Sequence, residues 1–187
     1  MPAGDRLGAV RGGFAVTAIG RDRPGIVAAI SGVFAELGAN IEDARMTILR
    51  GNFAVMLIAA LPEGADQAQL EARLTQVKEE LGLEAVAVNR VEEAERPPRP
   101  THALTVYGAD HPGIVYAVSA ELAERGVNIT DLEARLTVSG RRPIYTMMME
   151  LELPSKADPE ELRRALVAVG SEAGVDVSLR EIGAAAL

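Results

Sequence analysis

The chain has 187 residues, a formal net charge of −8 at pH 7, two histidines and no cysteine. The absence of cysteine excludes disulfides, thiolate metal sites and cysteine nucleophiles, and two histidines exclude a histidine-rich metal site. The acidic balance makes direct binding to nucleic acid phosphates unfavourable. A hydrophobic fraction of 48% indicates a globular protein. No stretch approaches the roughly 18 apolar residues of a membrane span, so we expect a soluble, cytoplasmic protein.

The chain repeats itself. The motif Asp-x-Pro-Gly-Ile-Val begins at Asp22 and recurs at Asp110. The strand-like segment before each motif and the Asn-Ile segment after it repeat at the same offset along the chain. The later segments repeat at an offset four residues longer, so the second copy has a longer central region. We predict a first domain over residues 14–92, a proline-rich linker over 93–101 and a second domain over 102–182.

Each copy shows the order strand, helix, strand, strand, helix, strand. Apolar residues at helical spacing end at Gly38 and Gly82, and Arg50-Gly51-Asn52 is typical of a hairpin turn. In the first copy the predicted elements are strand 14–20, helix 26–37, strands 41–49 and 53–61, helix 70–81 and strand 83–91. This order predicts an α+β protein with two ferredoxin-like (βαββαβ) domains, each an antiparallel sheet with helices on one face.

The third strand of the first copy is apolar on both faces, because Met56 and Ile58 alternate with apolar core positions. The matching strand of the second copy carries Glu150 and Glu152 on its corresponding face. We therefore expect the free face of the first sheet to be covered by another subunit or by the partner copy, and we predict a homodimer.

The Asp-x-Pro-Gly motif lies between the first strand and the first helix of each copy. One interpretation is structural: Asp caps the helix, Pro begins it and Gly permits close packing. The other is functional, because a glycine-lined helix N-terminus offers N–H groups to a carboxylate. Asp22 and Asp110 would then accept from a ligand ammonium, which together describes the backbone of a free amino acid.

Asn40 and Asn128 follow the first helix of each copy. Asparagine tolerates the left-handed backbone of a helix-ending turn, and its amide can also donate to and accept from a small polar ligand. The spacing alone does not decide between these two roles.

These residues resemble the ACT domain. The resemblance covers residues 14–182. The chain most resembles the tandem-ACT proteins of the glycine cleavage system transcriptional repressor family. The first copy also resembles the regulatory domain of formyltetrahydrofolate deformylase, whose catalytic domain has no counterpart in this chain. It implies ligand binding where two domains pair through sheets and first helices. The implied ligand-binding residues are Asp22, Arg23, Gly25, Asn40, Asp110, His111, Gly113 and Asn128.

The chain departs from that pattern in two ways. Serine-sensing ACT domains have Asn at the positions of Asp22 and Asp110, and Thr130 replaces Glu42 in the second copy. The first departure leaves the identity of the ligand open, with glycine as the first candidate and serine as the other by resemblance. The second departure means that the two sites need not be equivalent.

We predict a regulatory protein that senses an amino acid, has no catalytic residues, metal or cofactor, and regulates transcription through a protein partner without touching nucleic acid or membrane. Two alternatives remain open at this point: a detached regulatory subunit of an amino-acid or one-carbon enzyme, and an interaction module without a working pocket. A catalytic role is disfavoured because no nucleophile or general acid–base pair emerges from the sequence.

Overall fold

The computed structural model describes residues 13–62, 66–91, 96–139 and 142–183. They fall into two compact units divided between residues 95 and 96, which we call the first and the second domain. Within these ranges no helix is long and apolar enough to cross a membrane.

Both domains show the predicted order of elements. The first contains β1 (Gly13–Arg21), α1 (Ile26–Glu36), β2 (Asn40–Leu49), β3 (Asn52–Ala60), α2 (Gln67–Leu81) and β4 (Ala85–Val91). The second contains β5 (His102–Ala109), α3 (Ile114–Glu124), β6 (Asn128–Ser139), β7 (Arg142–Glu152), α4 (Pro159–Glu172) and β8 (Val175–Glu181). The sheets have the orders β2-β3-β1-β4 and β6-β7-β5-β8, and all neighbours pair antiparallel. The ferredoxin-like α+β fold is thereby confirmed.

Each core lies between one face of the sheet and the two helices. Strand alternation sends every second residue of β1 and β3 to this face, where they meet the apolar side of α1 and α2. In the first domain the large, fully buried side chains include Phe34, Phe53, Leu70 and Leu74. The equivalent layer of the second domain is built from Leu104, Leu122, Met147, Met149, Leu151, Leu162 and Leu166.

All four helices are followed by a glycine with left-handed backbone, as the sequence predicts for α1 and α2. Gly38 has φ 67° and Gly82 has φ 61°. After α1 the Ala39 N–H donates to the carbonyl of Phe34 at 2.9 Å, which satisfies a helix-end carbonyl and turns the chain into β2.

The additional residues of the second domain lengthen its central hairpin. In the first domain the hairpin closes at the pair Leu49 and Asn52, where Arg50 and Gly51 adopt positive φ angles of 50° and 81°. In the second domain the ladder continues to Ser139 and Arg142. The insertion adds two residues to each strand of the hairpin, the edge strand β6 and its neighbour β7, and the order of elements stays the same in both domains.

The face of the first sheet away from the helices is partly open. Met56 is 51% exposed and Ile19 is 46% exposed, while Ile58 is half-buried. The expectation that another subunit or the other copy of the repeat covers this face stays a prediction.

The later part of the expected linker packs on the second domain. Arg96 forms an ion pair with Glu152 on β7 at 3.1 Å, and the Thr101 N–H donates to the carbonyl of Leu151 at 2.7 Å. Residues 92–95 lie outside the described ranges.

Candidate functional site

The turn before each first helix is a glycine in left-handed conformation. Gly25 has φ 98° and ψ −14° and is the N-cap of α1, and Gly113 has φ 101° and ψ −10° at the start of α3. The expectation that Asp22 and Asp110 cap these helices is wrong, because the chain turns at the glycine three residues later. The aspartates therefore lie outside the helices.

The role expected for the motif glycine in close packing is also wrong. A Cβ atom built on Gly25 or Gly113 would meet nothing within 4 Å. Glycine is required by the positive φ, which L-residues other than glycine rarely adopt, and not by a neighbouring atom. The space around the turn is open toward solvent.

The four helices differ at their N-termini. Asp66 and Asp158 cap α2 and α4 with their carboxylates, and Asp66 Oδ1 accepts from the N–H of Ala68 at 3.0 Å. Gly25 and Gly113 have no side chain with which to cap α1 and α3. Since the first N–H groups of a helix have no acceptor within it, these two turns can offer donors to an external carboxylate.

The aspartates lie beside the same turns. The Asp22 N–H donates to the carbonyl of Gly51 at 2.9 Å, which ties the turn to the β2–β3 hairpin, and the Asp22 side chain is exposed. Asp110 is exposed as well, and burial together with the Asp110 charge raises the pKa of Tyr145 above 10.0. Each turn thus brings a carboxylate close to a helix N-terminus.

Arg23 and His111 contact the end of the second helix in their domains. Arg23 Nη2 donates to the carbonyl of Glu80 at 3.1 Å. His111 Nε2 bonds to the carbonyl of Ala173, the residue that follows α4, and His111 Nδ1 lies 3.0 Å from the carbonyl of Pro112.

Asn40 and Asn128 lie at the end of their sheets opposite to the glycine turns. Asn40 is the first residue of β2 and pairs with Ala60, whereas the turn at Asp22 lies beside the hairpin at the last residues of β2. The 11 residues of α1 separate Gly25 from Asn40, which at 1.5 Å per residue is about 16 Å. The structure therefore brings the Asp, the cation and the Gly of each motif together, and it does not bring the Asn of the same domain to them.

A β-bulge follows each asparagine, and no local sequence signal indicates it. The register shifts between Ile41 and Asp43 in β2 and between Ile129 and Asp131 in β6. Thr130 in the second bulge has a buried hydroxyl that meets no hydrogen-bond partner among the described residues.

A shallow apolar groove of about 120 Å³ lies between α1 and β2. Its lining is mostly apolar and includes Val27, Ala44 and Met46, while Ser31 and Arg45 contribute polar groups. Within the described ranges no three His, Asp or Glu side chains are arranged to hold a metal ion.

The sequence model of the ACT domain matches residues 14–88 and again residues 103–180. The chain belongs to the ACT-domain family. The first match contains the Gly25 turn and Asn40, and the second contains the Gly113 turn and Asn128, so both domains carry the parts described above.

Two curated relatives show how the chain compares with others. The glycine cleavage system transcriptional repressor of Escherichia coli strain K12 is 26% identical over 170 residues, which are 89% of this chain and 88% of that protein. A UPF0237 protein of Methanopyrus kandleri is 47% identical over 72 residues, which are 38% of this chain and 80% of that protein. The ACT-domain protein described here is thus similar to the first relative across both domains and to the second across one.

Solved structures repeat the tandem fold. A protein of Galdieria sulphuraria, described as unknown, superposes with a TM-score of 0.79 at 30% identity and covers 92% of this chain and 100% of its own. A structure provisionally named a glycine cleavage system transcriptional repressor superposes with a TM-score of 0.67 at 20% identity, covering 91% and 97%. The second likeness concerns the fold alone.

Proposed function

We propose that this protein is an amino-acid-sensing regulator whose ACT domains bind a small free amino acid, with glycine as the first candidate. The observation that carries the proposal is the uncapped glycine turn beside an aspartate, present in both domains. Its N–H groups suit the ligand carboxylate and the aspartate suits the ammonium. The similarity to the glycine cleavage system repressor over both domains supports glycine over larger amino acids.

A complete site needs two domains. The glycine turn and Asn40 of one domain lie at opposite ends of β2, too far apart to touch one small ligand. If the edge strands β2 of two copies of the chain pair antiparallel, the start of one strand meets the end of the other. Asn40 of one copy then lies beside the turn at Gly25 of the second copy, and the dimer has two equivalent sites.

The edge strands have the surface that such pairing requires. On the helix side of β2, Met46 is 47% exposed and Ile48 is 48% exposed, next to exposed Val27 on α1. The second domain exposes a corresponding set on β6 and α3: Val115, Tyr116, Leu132, Leu136 and Val138. A strand at the edge of a sheet has unpaired backbone groups that another strand can bond to, and exposed apolar residues favour contact with a partner. Pairing with a second copy would satisfy the backbone groups and cover the apolar residues.

Regulation through a partner protein follows from charge. The chain has 19 Lys and Arg against 27 Asp and Glu, and the resulting net charge of −8 disfavours binding to nucleic acid phosphates. We infer that any effect on transcription passes through a second protein, and that an electrophoretic mobility shift with the purified chain at physiological salt gives no sequence-specific band. A specific band without a partner would overturn this part of the proposal.

The binding test is isothermal titration calorimetry with glycine, serine and a panel of other free amino acids. Asn40→Ala removes one polar contact worth about 0.5–1.5 kcal/mol, which corresponds to roughly three- to tenfold weaker binding. Asn128→Ala is the matched variant in the second domain. Wild-type affinity in both variants, for an amino acid that binds the wild-type chain, would rule out the asparagines as ligand contacts.

Mixing two variants tests the shared site directly. Asp22→Ala and Asn40→Ala each weaken both first-domain sites of their own homodimer, because every site then contains one altered residue. In a mixed dimer, one site receives both wild-type residues, so binding returns to about a quarter of the first-domain capacity in an equal mixture. No recovery after mixing would refute pairing between first domains of two copies, while leaving amino acid binding itself intact.

A further inference from the structure

In each domain a side chain of the glycine turn bonds to the C-terminal end of the second helix, and this side chain differs between the two domains. In the first domain the Arg23 guanidinium donates to the carbonyl of Glu80, in the last turn of α2. In the second domain the His111 imidazole bonds to the carbonyl of Ala173, immediately after α4. Arg23 and His111 occupy equivalent positions of the repeated motif. Their side chains therefore link the turn before the first helix to the end of the second.

The two links differ in chemistry. Carbonyl oxygens only accept hydrogen bonds, and both ring nitrogens of His111 face one: Nε2 faces Ala173 and Nδ1 faces Pro112. A neutral imidazole carries one N–H and can donate to only one of these oxygens, so both bonds exist together only in the imidazolium. The guanidinium of Arg23 keeps its protons at every physiological pH.

The surroundings of His111 favour its charged form. Its pKa is raised above 6.5 mainly by the bond to Pro112 and next by the bond to Ala173; burial opposes the shift, and the charge of Asp110 raises the pKa by a smaller amount. The C-terminal end of α4 also carries the negative pole of the helix dipole.

The other titratable groups near His111 do not reverse the preference of its imidazole for the charged form. Glu172, the last residue of α4, is exposed, and the charge that shifts the pKa of His111 is that of Asp110. On β7, Tyr145 stays neutral, because burial and Asp110 raise its pKa above 10.0. On β8, Asp176 pairs with Tyr107 on the sheet face away from the helices.

We propose that His111 is a positioning residue which, when protonated, latches the Asp110–Gly113 turn to the end of α4, so that this turn is held by two bonds in acid and more weakly, by one of them, in alkali. Arg23 forms the matching latch in the first domain and holds it at all pH values. Where the turn serves amino acid binding, a consequence that rests on the proposed function, the second site weakens as pH rises and the first does not.

The direction of the stability effect follows from linkage. A group whose pKa is raised on folding contributes stability that is fully present below its unfolded value, here 6.5, and is lost as pH rises through the folded value. Protonation of the latch therefore adds stability to the second domain in mild acid, and this added stability is lost in mild alkali.

The second domain can be followed separately, because all three tyrosines of the chain, Tyr107, Tyr116 and Tyr145, lie in it. Urea unfolding of the full chain is monitored by tyrosine fluorescence between about pH 5.5 and about pH 8.5, below the range in which phenols ionise. Wild type, His111→Gln and His111→Arg are compared at each pH, so that other titrating groups cancel in the differences.

We expect the unfolding midpoint of wild type to exceed that of His111→Gln in acid and to approach it in alkali. His111→Arg, which copies the first domain, should keep its advantage over His111→Gln across the range. A difference between wild type and His111→Gln that does not change with pH would overturn the latch, and so would a His111→Arg variant with the pH dependence of wild type.

Proton NMR of the wild-type chain provides a test that needs no variant of the second domain. The His111 ring signals should titrate with a midpoint above 6.5, and a midpoint at or below 6.5 would overturn the proposal. In the reciprocal variant Arg23→His, the introduced imidazole should also titrate above 6.5 if the corner of the fold creates the latch. Titration of that imidazole at the value of a free histidine would refute the equivalence of the two links.

Calorimetry with glycine at about pH 6 and about pH 8.5 separates the latch from the proposed function. The latch is connected to ligand binding if glycine binding to the second domain weakens in alkali in wild type but not in His111→Arg. Glycine binding in wild type that does not change with pH would overturn the connection between the latch and binding. The unfolding and NMR results decide the latch itself. Absence of glycine binding at either pH counts against the proposed function alone.

Discussion

The first and second domains place equivalent glycine turns at equivalent corners of their own sheets, yet the side chains around the two turns differ. Phe53 on β3 is fully buried behind the turn of the first domain, whereas Tyr145 at the matching position of β7 presents a half-buried hydroxyl. Arg23 holds one turn and His111 the other. The backbone geometry that could receive a carboxylate is therefore shared, while the polarity and pH response of its surroundings are not.

The open faces of the two sheets differ in the same manner. Ile58 lies opposite Ala15 and Asp43, and the matching Glu150 lies opposite Ala103 and Asp131. A fold that accepts Glu150 beside Asp131 does not need an apolar residue there. The apolar surface of the first domain thus points to a requirement other than folding, such as contact with a second copy.

The largest expected effect concerns the core at α1. Phe34 is 1% exposed, and the matching position in the second domain is the fully buried Leu122. Phe34→Ala should lower the free energy of unfolding of the first domain by about 3–5 kcal/mol, through lost burial and a residual cavity. Phe34→Leu, which copies the second domain, should cost far less. Far-UV circular dichroism in urea measures the loss, and an equal cost for both variants would show that the two cores pack differently.

A smaller effect is expected where α4 packs on β8. A Cβ atom on Gly170 would lie 2.4 Å from Val177 Cγ2 and 2.9 Å from the carbonyl oxygen of Val175. Gly170→Ala should therefore destabilise the second domain by about 1–3 kcal/mol through overpacking. The equivalent residue of the first domain is Lys78, where this close approach does not occur. Tyrosine fluorescence in urea reports the change, and unaltered stability would contradict the tight α4–β8 contact.

The next effect tests the glycine turn. Gly25→Ala should destabilise the first domain by about 1–2 kcal/mol, because a residue with a Cβ is strained at φ 98°. Gly32→Ala is the matched control inside α1, where a Cβ meets nothing within 4 Å and the helix gains about 0.5–1 kcal/mol. Thermal unfolding by circular dichroism compares the two. If both alanines stabilise the domain equally, the left-handed turn is absent in solution.

The smallest effect on the isolated domain concerns the open face. Ile58→Glu should change its intrinsic stability by less than about 1 kcal/mol, since Ile58 is only half-buried and Glu150 occupies the matching position. If a second copy covers this face, the same change lowers the molar mass seen by light scattering. Glu150→Ile is the reciprocal control and should not lower it. Unchanged mass and unchanged melting for Ile58→Glu would count against burial of the face.

Much of this fold follows from local sequence. The helical spacing of Leu70, Leu74 and Val77, the stops at Gly38 and Gly82, and the internal repeat together specify the order of elements and hence a ferredoxin-like domain. These features are local because helix periodicity and left-handed glycines act within a few residues. The resemblance to ACT domains likewise needed only the motif residues and their spacing.

Tertiary structure decided the arrangement of the candidate site. The motif Asp-x-Pro-Gly did not indicate that Gly25, rather than Asp22, caps the helix, because the φ angle depends on how α1 returns onto the sheet. The sequence also did not show that Asn40 and Gly25 lie at opposite ends of β2, nor that Arg23 reaches Glu80. Such relations join residues distant along the chain, and they are set by the packing of helices on the sheet, which no local pattern encodes.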